Sequence, residues 1–203
     1  MNKEKLYRLF GSTEVSWNER LALHLSDSVV DIGCGTGNVL AKVDAEVHVG
    51  LDITRQKLIS NKGGKAEFVF GDACTLPFQS RCFDVVMTRQ AVSHIWKLDE
   101  CLSEMRRVSK RIFYVEDSNL LNPVVLAGLL FRFGPQWLFS KSRVYRGDSL
   151  AEFGKREDVH SVFWWRRKLG KVEVLGRRRF ANPLLDWLWR FFGPDAILRM
   201  EVN

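Results

Sequence analysis

From Ser28 onward, short apolar runs alternate with stretches whose apolar residues recur at helical spacing. The runs SVVDI (28–32), EVHVGLD (46–52), AEFVFGD (66–72), FDVVMTR (83–89) and RIFYVED (111–117) read as strands. Between them, helices are expected near 37–43, from Thr54 as an N-cap, and over 97–107. This α/β rhythm predicts a doubly wound, mostly parallel sheet. Ahead of it, residues 3–25 read as one or two amphipathic helices, with Leu6, Leu9, Phe10, Trp17, Leu21 and Leu25 as the apolar set. Beyond 117 the pattern changes: 118–154 is apolar and irregular, and a helix is expected over 156–169. A strand at 171–180, a helix at 183–192 and a last strand at 196–202 follow. The expectation is one domain over 1–203 with a seven-stranded sheet, five parallel strands and an antiparallel C-terminal ending, plus a helical cap.

Ligands of such sheets sit at the carboxyl ends of the strands. The polar residues there are Asp31 with a glycine loop, Asp52, Asp72, Arg89-Gln90 and Glu116-Asp117, all converging on one crevice. The loop, VVDIGCGTGN, does not fit the dinucleotide fingerprint, because the third glycine would fall on Asn38. No Gly-Lys-Ser/Thr occurs, so it is not a P-loop. What stands is Asp31-x-Gly33-x-Gly35-x-Gly37. A carboxylate at Asp52 can accept hydrogen bonds from both ribose hydroxyls. Asp72 beside the Ala73 N–H can pair with an adenine N6 amine and N1. The plainer readings are an ordinary strand–helix turn for the glycines and a helix cap for Asp52. Asp84, at the start of its strand, reads as structural.

At these residues the sequence resembles the class I S-adenosylmethionine-dependent methyltransferases, through VVDIGCGTG, VGLDIT, GDACTLPFQSRCFDVVMTRQAVSHI and ECLSEMRRVSKRIFYVED. It looks most like the branch of quinone-biosynthesis and small-molecule enzymes (methyltransferase type 11). The resemblance runs from about 28 to 117 and implies a Rossmann-like fold with S-adenosyl-L-methionine as cofactor. It implies that Asp31 and the loop Gly33, Cys34, Gly35 and Gly37 hold the methionine part. Asp52 with Ile53 would take the ribose, Asp72 with Ala73 the adenine, and Arg89 would lie near the methionine and the methyl. One departure is that the Lys-Pro-Gly-Gly-like turn before the fifth strand is missing. VSKRIFYV runs on without glycine, so that strand is expected to start directly from the helix.

Composition narrows the partners. The net charge of +7 favours anionic partners, against the plainer reading of a solvated basic surface. Hydrophobic residues make up 46%, enough for a full core. Cys34, Cys74, Cys82 and Cys101 have no CxxC spacing and no clustered histidine, so no metal is expected. With no apolar h-region at the start, a cytoplasmic location is expected. The fourth strand ends MTRQ, not the Asn/Asp-Pro-Pro-Tyr/Phe with which base-methylating enzymes grip a flipped base. No Pro-Cys nucleophile is present either. Nucleic acid is therefore disfavoured, and a tRNA or protein acceptor is the alternative to a small molecule. A non-catalytic cofactor-binding regulator is a third reading.

His94, in RQAVSHI after the fourth strand, is the candidate catalytic base, with packing or capping of the next helix as the plainer role. His160, Glu116 and Tyr145 are lesser candidates, and Tyr7 and Trp17 are candidate covers for the site. NPVVLAGLLFRFGP (122–135) and NPLLDWLWRFFGP (182–194) share a plan: an Asn N-cap, Pro at the first turn, an apolar body and a Gly-Pro stop. In the second, Asp186 and Arg190 lie four apart on one face. Segments 118–154 and 181–194 are expected to cap the substrate site. Around them FWWRRKLGK, GRRRF and FSKSRVYR mix aromatics with cations, as at a membrane interface. The expectation is a lipophilic acceptor and a peripheral membrane contact, against plain packing of the two helices.

Overall fold

The computed structural model describes residues 12–59, 64–95, 97–133 and 159–202. Its main sheet is built from β2 (Ser28–Ile32), β3 (Val47–Asp52), β4 (Ala66–Phe70), β5 (Phe83–Arg89), β6 (Ser109–Ser118), β7 (Glu173–Leu175) and β9 (Asp195–Glu201). The order is β4-β3-β2-β5-β6-β9-β7. The first five are parallel neighbours, and β9 runs antiparallel to both β6 and β7. This is the expected seven-stranded sheet with its antiparallel C-terminal strand.

The middles of the central strands are apolar on both sides because both of their faces are covered. Val30, Val86, Phe113 and Val115 pack on α3 (Leu98–Val108) and α5 (Val162–Leu169), through Cys101, Met105 and Trp165. Val29, Val85, Met87 and Tyr114 pack on the other side with Leu21 and Leu40. α3 ends at Val108 and β6 begins at Ser109, so the strand does start directly from the helix.

Four expectations need correction. Residues 12–14 are not helical: β1 (Ser12–Glu14) pairs antiparallel with β8 (Arg178–Phe180), and only α1 (Trp17–Leu21) follows, capped by Ser16. Residues 3–11 lie outside the described residues. The expected strand at 171–180 is two strands, because the chain leaves the main sheet at Gly176–Arg177 and the Arg177 carbonyl accepts the Val15 N–H at 2.8 Å. The helix at 37–43 is a single 3-10 turn, Leu40–Lys42. The glycine loop uses the first part of that short connection, and Val39, Leu40 and Val43 must bury at once. The helix at 156–169 starts only at Val162, after Ser161, whose hydroxyl accepts the Trp164 N–H. Residues 156–158 lie outside the described residues.

The two Asn-Pro helices form as expected. α4 (Pro123–Phe133) opens at Asn122, whose side-chain oxygen accepts the Val124 and Val125 N–H groups. α6 (Pro183–Phe192) opens at Asn182 in the same way on Leu184 and Leu185. Among the described residues, no helix is long and apolar enough to cross a membrane.

Candidate functional site

The glycine loop leaves β2 between β3 and β5. Gly33, Gly35 and Gly37 all have positive φ, at 76°, 57° and 73°. Gly33 must be glycine for a second reason: a Cβ there would lie 2.4 Å from that of Ala91. Gly35 differs, since a Cβ would meet nothing within 4 Å, so the loop's crest faces open space. The Gly33 and Cys34 N–H groups bond to the Leu51 carbonyl at 2.7 and 3.1 Å. The Cys34 thiol faces the sheet, 2.7 Å from where a Cβ on Gly50 would stand. Cys34 can therefore serve a ligand only through its backbone.

Asp31 sits beneath this loop, 2% exposed, and one of its carboxyl oxygens has no hydrogen-bond partner. Burial pushes its pKa up to about 8, opposed by Arg89 and reinforced by Asp52 and Glu116. A buried polar atom without a partner is costly, and a cationic group at the loop would satisfy it. Asp52, 4% exposed, ends β3. Its oxygens accept the Gly35 N–H and the Thr54 N–H, each at 2.8 Å. Asp52 thus fixes the loop's crest and retains lone pairs for a ligand, with half-buried Ile53 beside it. Asp72, exposed beyond β4, accepts the Cys74 N–H at 2.8 Å. The three carboxylates stand at the carboxyl ends of three adjacent strands, in the order the sequence predicts. An orphaned acid, an open glycine crest and two further carboxylates with free lone pairs fit a ligand bearing an ammonium, a ribose and an adenine.

Arg89, whose charge acts on Asp31, is tethered at the end of β5. Its Nε donates to Glu116 at 2.9 Å, and its guanidinium lies 6.0 Å from the Trp17 ring. Glu116, fully buried at the end of β6, also accepts from Arg20 at 3.0 Å, from Arg177 and from the Tyr114 hydroxyl at 2.6 Å. Burial pushes the Glu116 pKa up, but Arg177, the Tyr114 hydroxyl and Arg20 outweigh it and the net shift is downward. Glu116 is therefore an anchor for three arginines and not a catalytic base. Arg177 Nε also lies 3.0 Å from Asp195. Sequence reasoning missed this hub, because Arg20 and Arg177 come from distant segments and GRRRF read as a basic surface.

The other candidates resolve as follows. His94 ends a 3-10 turn, Val92–His94, that Asp117 fixes by accepting the Ser93 N–H at 2.8 Å. Burial raises the Asp117 pKa to about 6, with Ser118, Ser93 and the nearby His94 opposing. The N-cap position of α3 is Lys97. His160 stacks on Trp164 at 3.5 Å, and Trp17 packs on Arg20 at 3.8 Å, so both are packing residues. Tyr7 and Tyr145 lie outside the described residues. Asp84 is structural, as expected, and accepts the Ser28 hydroxyl at 2.6 Å.

The Asp31 pKa carries a prediction. Its folded value, about 8, lies far above the ordinary 3.8, so the free protein holds this proton at neutral pH and loses stability as pH rises from 3.8 through about 8. An ammonium docked beside Asp31 would reverse the shift. Ligand binding at pH 7 should then release up to about one proton, seen as buffer-dependent heat in calorimetry. Asp31→Asn should remove that dependence.

Residues 30–112 match the family described as Methyltransferase domain. The chain is 31% identical over 115 residues to a demethylmenaquinone methyltransferase of Roseiflexus sp. (strain RS-1), covering 51% of this chain and 48% of the relative. It is 26% identical over 135 residues to the ubiquinone/menaquinone biosynthesis C-methyltransferase UbiE of Cereibacter sphaeroides, covering 59% and 53%. To the botryococcene C-methyltransferase of Botryococcus braunii it is 29% identical over 116 residues, covering 50% and 31%. The chain thus spans about half the length of the quinone relatives and less of the third. In fold it resembles the Haloferax volcanii protein solved with the Trm112 methyltransferase activator, with TM-score 0.62, 16% identity and coverage of 98% and 93%. The YcgJ protein of Bacillus subtilis gives TM-score 0.57 at 19% identity, covering 75% and 64%.

Proposed function

We propose that this chain is a class I S-adenosylmethionine-dependent methyltransferase that moves a methyl group from that cofactor to a small lipophilic acceptor. The observation that carries the reading is the buried, half-unpartnered Asp31 carboxyl beneath an open glycine crest. Asp52 and Asp72 continue the same line of strand ends. In this reading Asp31 and the Gly33–Gly37 loop hold the methionine end. Asp52 and Ile53 hold the ribose, and Asp72 and Ala73 the adenine. Arg89, tethered by Glu116, sets the positive potential beside Asp31.

When bound, the cofactor supplies a methyl group on a sulfonium, which departs as a neutral thioether. The chain's part is to align the acceptor with that methyl and to keep water out. Where the acceptor must lose a proton, His94 is the base, on a turn that Asp117 holds in place.

The lipophilic acceptor is supported by α4 and α6, which meet at the carboxyl end of β6. There Asn119 donates to the Phe191 and Gly193 carbonyls, and Asn122 to the Phe192 carbonyl. Both helices carry exposed apolar side chains, Val124 and Phe131 on α4 and Leu184 and Trp187 on α6. Relatives named for quinone, botryococcene and sterol methylation agree with such an acceptor. A peripheral contact with membranes, where these molecules reside, belongs to the same reading. The test follows the methyl group of labelled S-adenosylmethionine into lipid-extractable material.

A further inference from the structure

Helix α6 is amphipathic in the inverted sense. Its charged pair, Asp186 and Arg190, faces the protein with Trp189. Asp186 accepts the Phe180 N–H at 3.0 Å and binds Arg190 Nε at 2.9 Å, and Trp189 packs on the Phe180 ring at 5.5 Å. At 3.6 residues per turn, the opposite face then carries Leu184, Trp187, Leu188, Phe191 and Phe192. Leu184 is 64% exposed and Trp187 50%. An apolar stripe normally turns toward the core; here Phe191 of that stripe packs against the core cluster, while an ion pair and an indole take the other protein-facing positions.

The patch continues onto α5. Phe163, 51% exposed, stacks on Phe191 at 5.6 Å, and Phe191 lies 5.3 Å from Trp187. One turn further along the same outer face come Arg166 and Arg167, both exposed. Most described arginines meet a carboxylate, including Arg20, Arg89, Arg107, Arg111, Arg177, Arg179, Arg190 and Arg199. Arg166 and Arg167 have no carboxylate partner among the described residues, while the next residue, Lys168, pairs with Asp99.

We infer that the outer face of α6, with Phe163, Arg166 and Arg167 of α5, docks on a lipid surface carrying anionic headgroups. Leucine and aromatic side chains enter the interface, and unpaired guanidinium groups at the margin meet the phosphates. A second copy of the chain would bring the same two cations against themselves, which disfavours a self-complementary contact. The net charge of +7 draws the molecule the same way. The inference rests on the lipophilic-acceptor reading for its purpose. The patch ends at the Phe191–Gly193 carbonyls, which Asn119 holds at the carboxyl end of β6, so docking would bring the bilayer beside the strand ends.

The test is flotation of the full chain with vesicles of phosphatidylcholine alone and of phosphatidylcholine with phosphatidylglycerol, at low and high salt. The wild type should float with the anionic vesicles, and less so at high salt. Arg166→Glu with Arg167→Glu should weaken this by about twenty-five-fold or more, each lost cation contributing about five-fold and the new carboxylates adding repulsion. Trp187→Ser with Leu188→Ser should weaken it on anionic and neutral vesicles alike. Both variants should keep wild-type affinity for S-adenosylmethionine in calorimetry, which separates this surface from the cofactor site. A wild type that stays with the soluble fraction at low salt on anionic vesicles overturns the docking while leaving the cofactor reading intact. So does a dimer in light scattering that Trp187→Ser with Leu188→Ser converts to monomer, since the face then belongs to a second copy.

Discussion

Asp52→Ala is expected to lower affinity for S-adenosylmethionine by on the order of a hundred-fold or more. Two losses combine. In this reading the carboxylate accepts two ribose hydroxyls, and hydrogen bonds to a charged group contribute about 1.5–3 kcal/mol each. It also accepts the Gly35 N–H at 2.8 Å, so its removal frees the crest of the glycine loop. Asp52→Asn, which keeps an acceptor oxygen for one of these bonds, should fall between the wild type and Asp52→Ala. Calorimetric titration of the three proteins checks the order. Affinity unchanged in Asp52→Ala would remove Asp52 from the site.

Glu116→Gln is expected to destabilise the fold by about 3–5 kcal/mol, because it leaves buried guanidinium groups without their counter-charge. For a chain of this size that is roughly a 10 °C fall in melting temperature. Arg20, 4% exposed, suffers most, since Glu116 is its ion-pair partner and its Nε already has none. The pH dependence follows from the sign of the shift. The folded pKa of Glu116 lies below its ordinary value of 4.5, so its stabilisation is complete above that value and is lost as pH falls through the folded one. Acid melting of the wild type should therefore steepen below about pH 4.5, a component that the Gln variant lacks. Arg89 also loses its tether, so the folded fraction of the variant should bind the cofactor more weakly. A variant melting within a few degrees of the wild type would contradict the hub.

The strands and the glycine loop were legible because their signals are local. Val29, Val30 and Ile32 around Asp31, and the run Val85–Met87, are apolar positions buried on both faces, and the loop's glycines fall where positive φ is needed. Asp31, Asp52 and Asp72 could be placed because strand ends in a parallel sheet share one edge. The arginine hub was not legible. It assembles from α1, β5, β6 and the break between β7 and β8, and that break depends on a two-stranded pairing of Ser12–Glu14 with Arg178–Phe180. Nothing in 171–180 alone distinguishes one strand from two. The pattern of α6 gave its two faces but not which one meets the protein. Only the Asp186 contact with Phe180 and the seat of Trp189 on its ring decide that.

The central claim is methyl transfer from S-adenosylmethionine to a lipophilic acceptor. It is measured most directly by incubating the purified chain with methyl-labelled S-adenosylmethionine and a membrane lipid extract dispersed in detergent, then partitioning into organic solvent. Label should enter the organic phase, matched by formation of S-adenosylhomocysteine, and should be absent with Asp52→Ala. Label confined to tRNA or protein, or cofactor that binds and is never turned over, would contradict it.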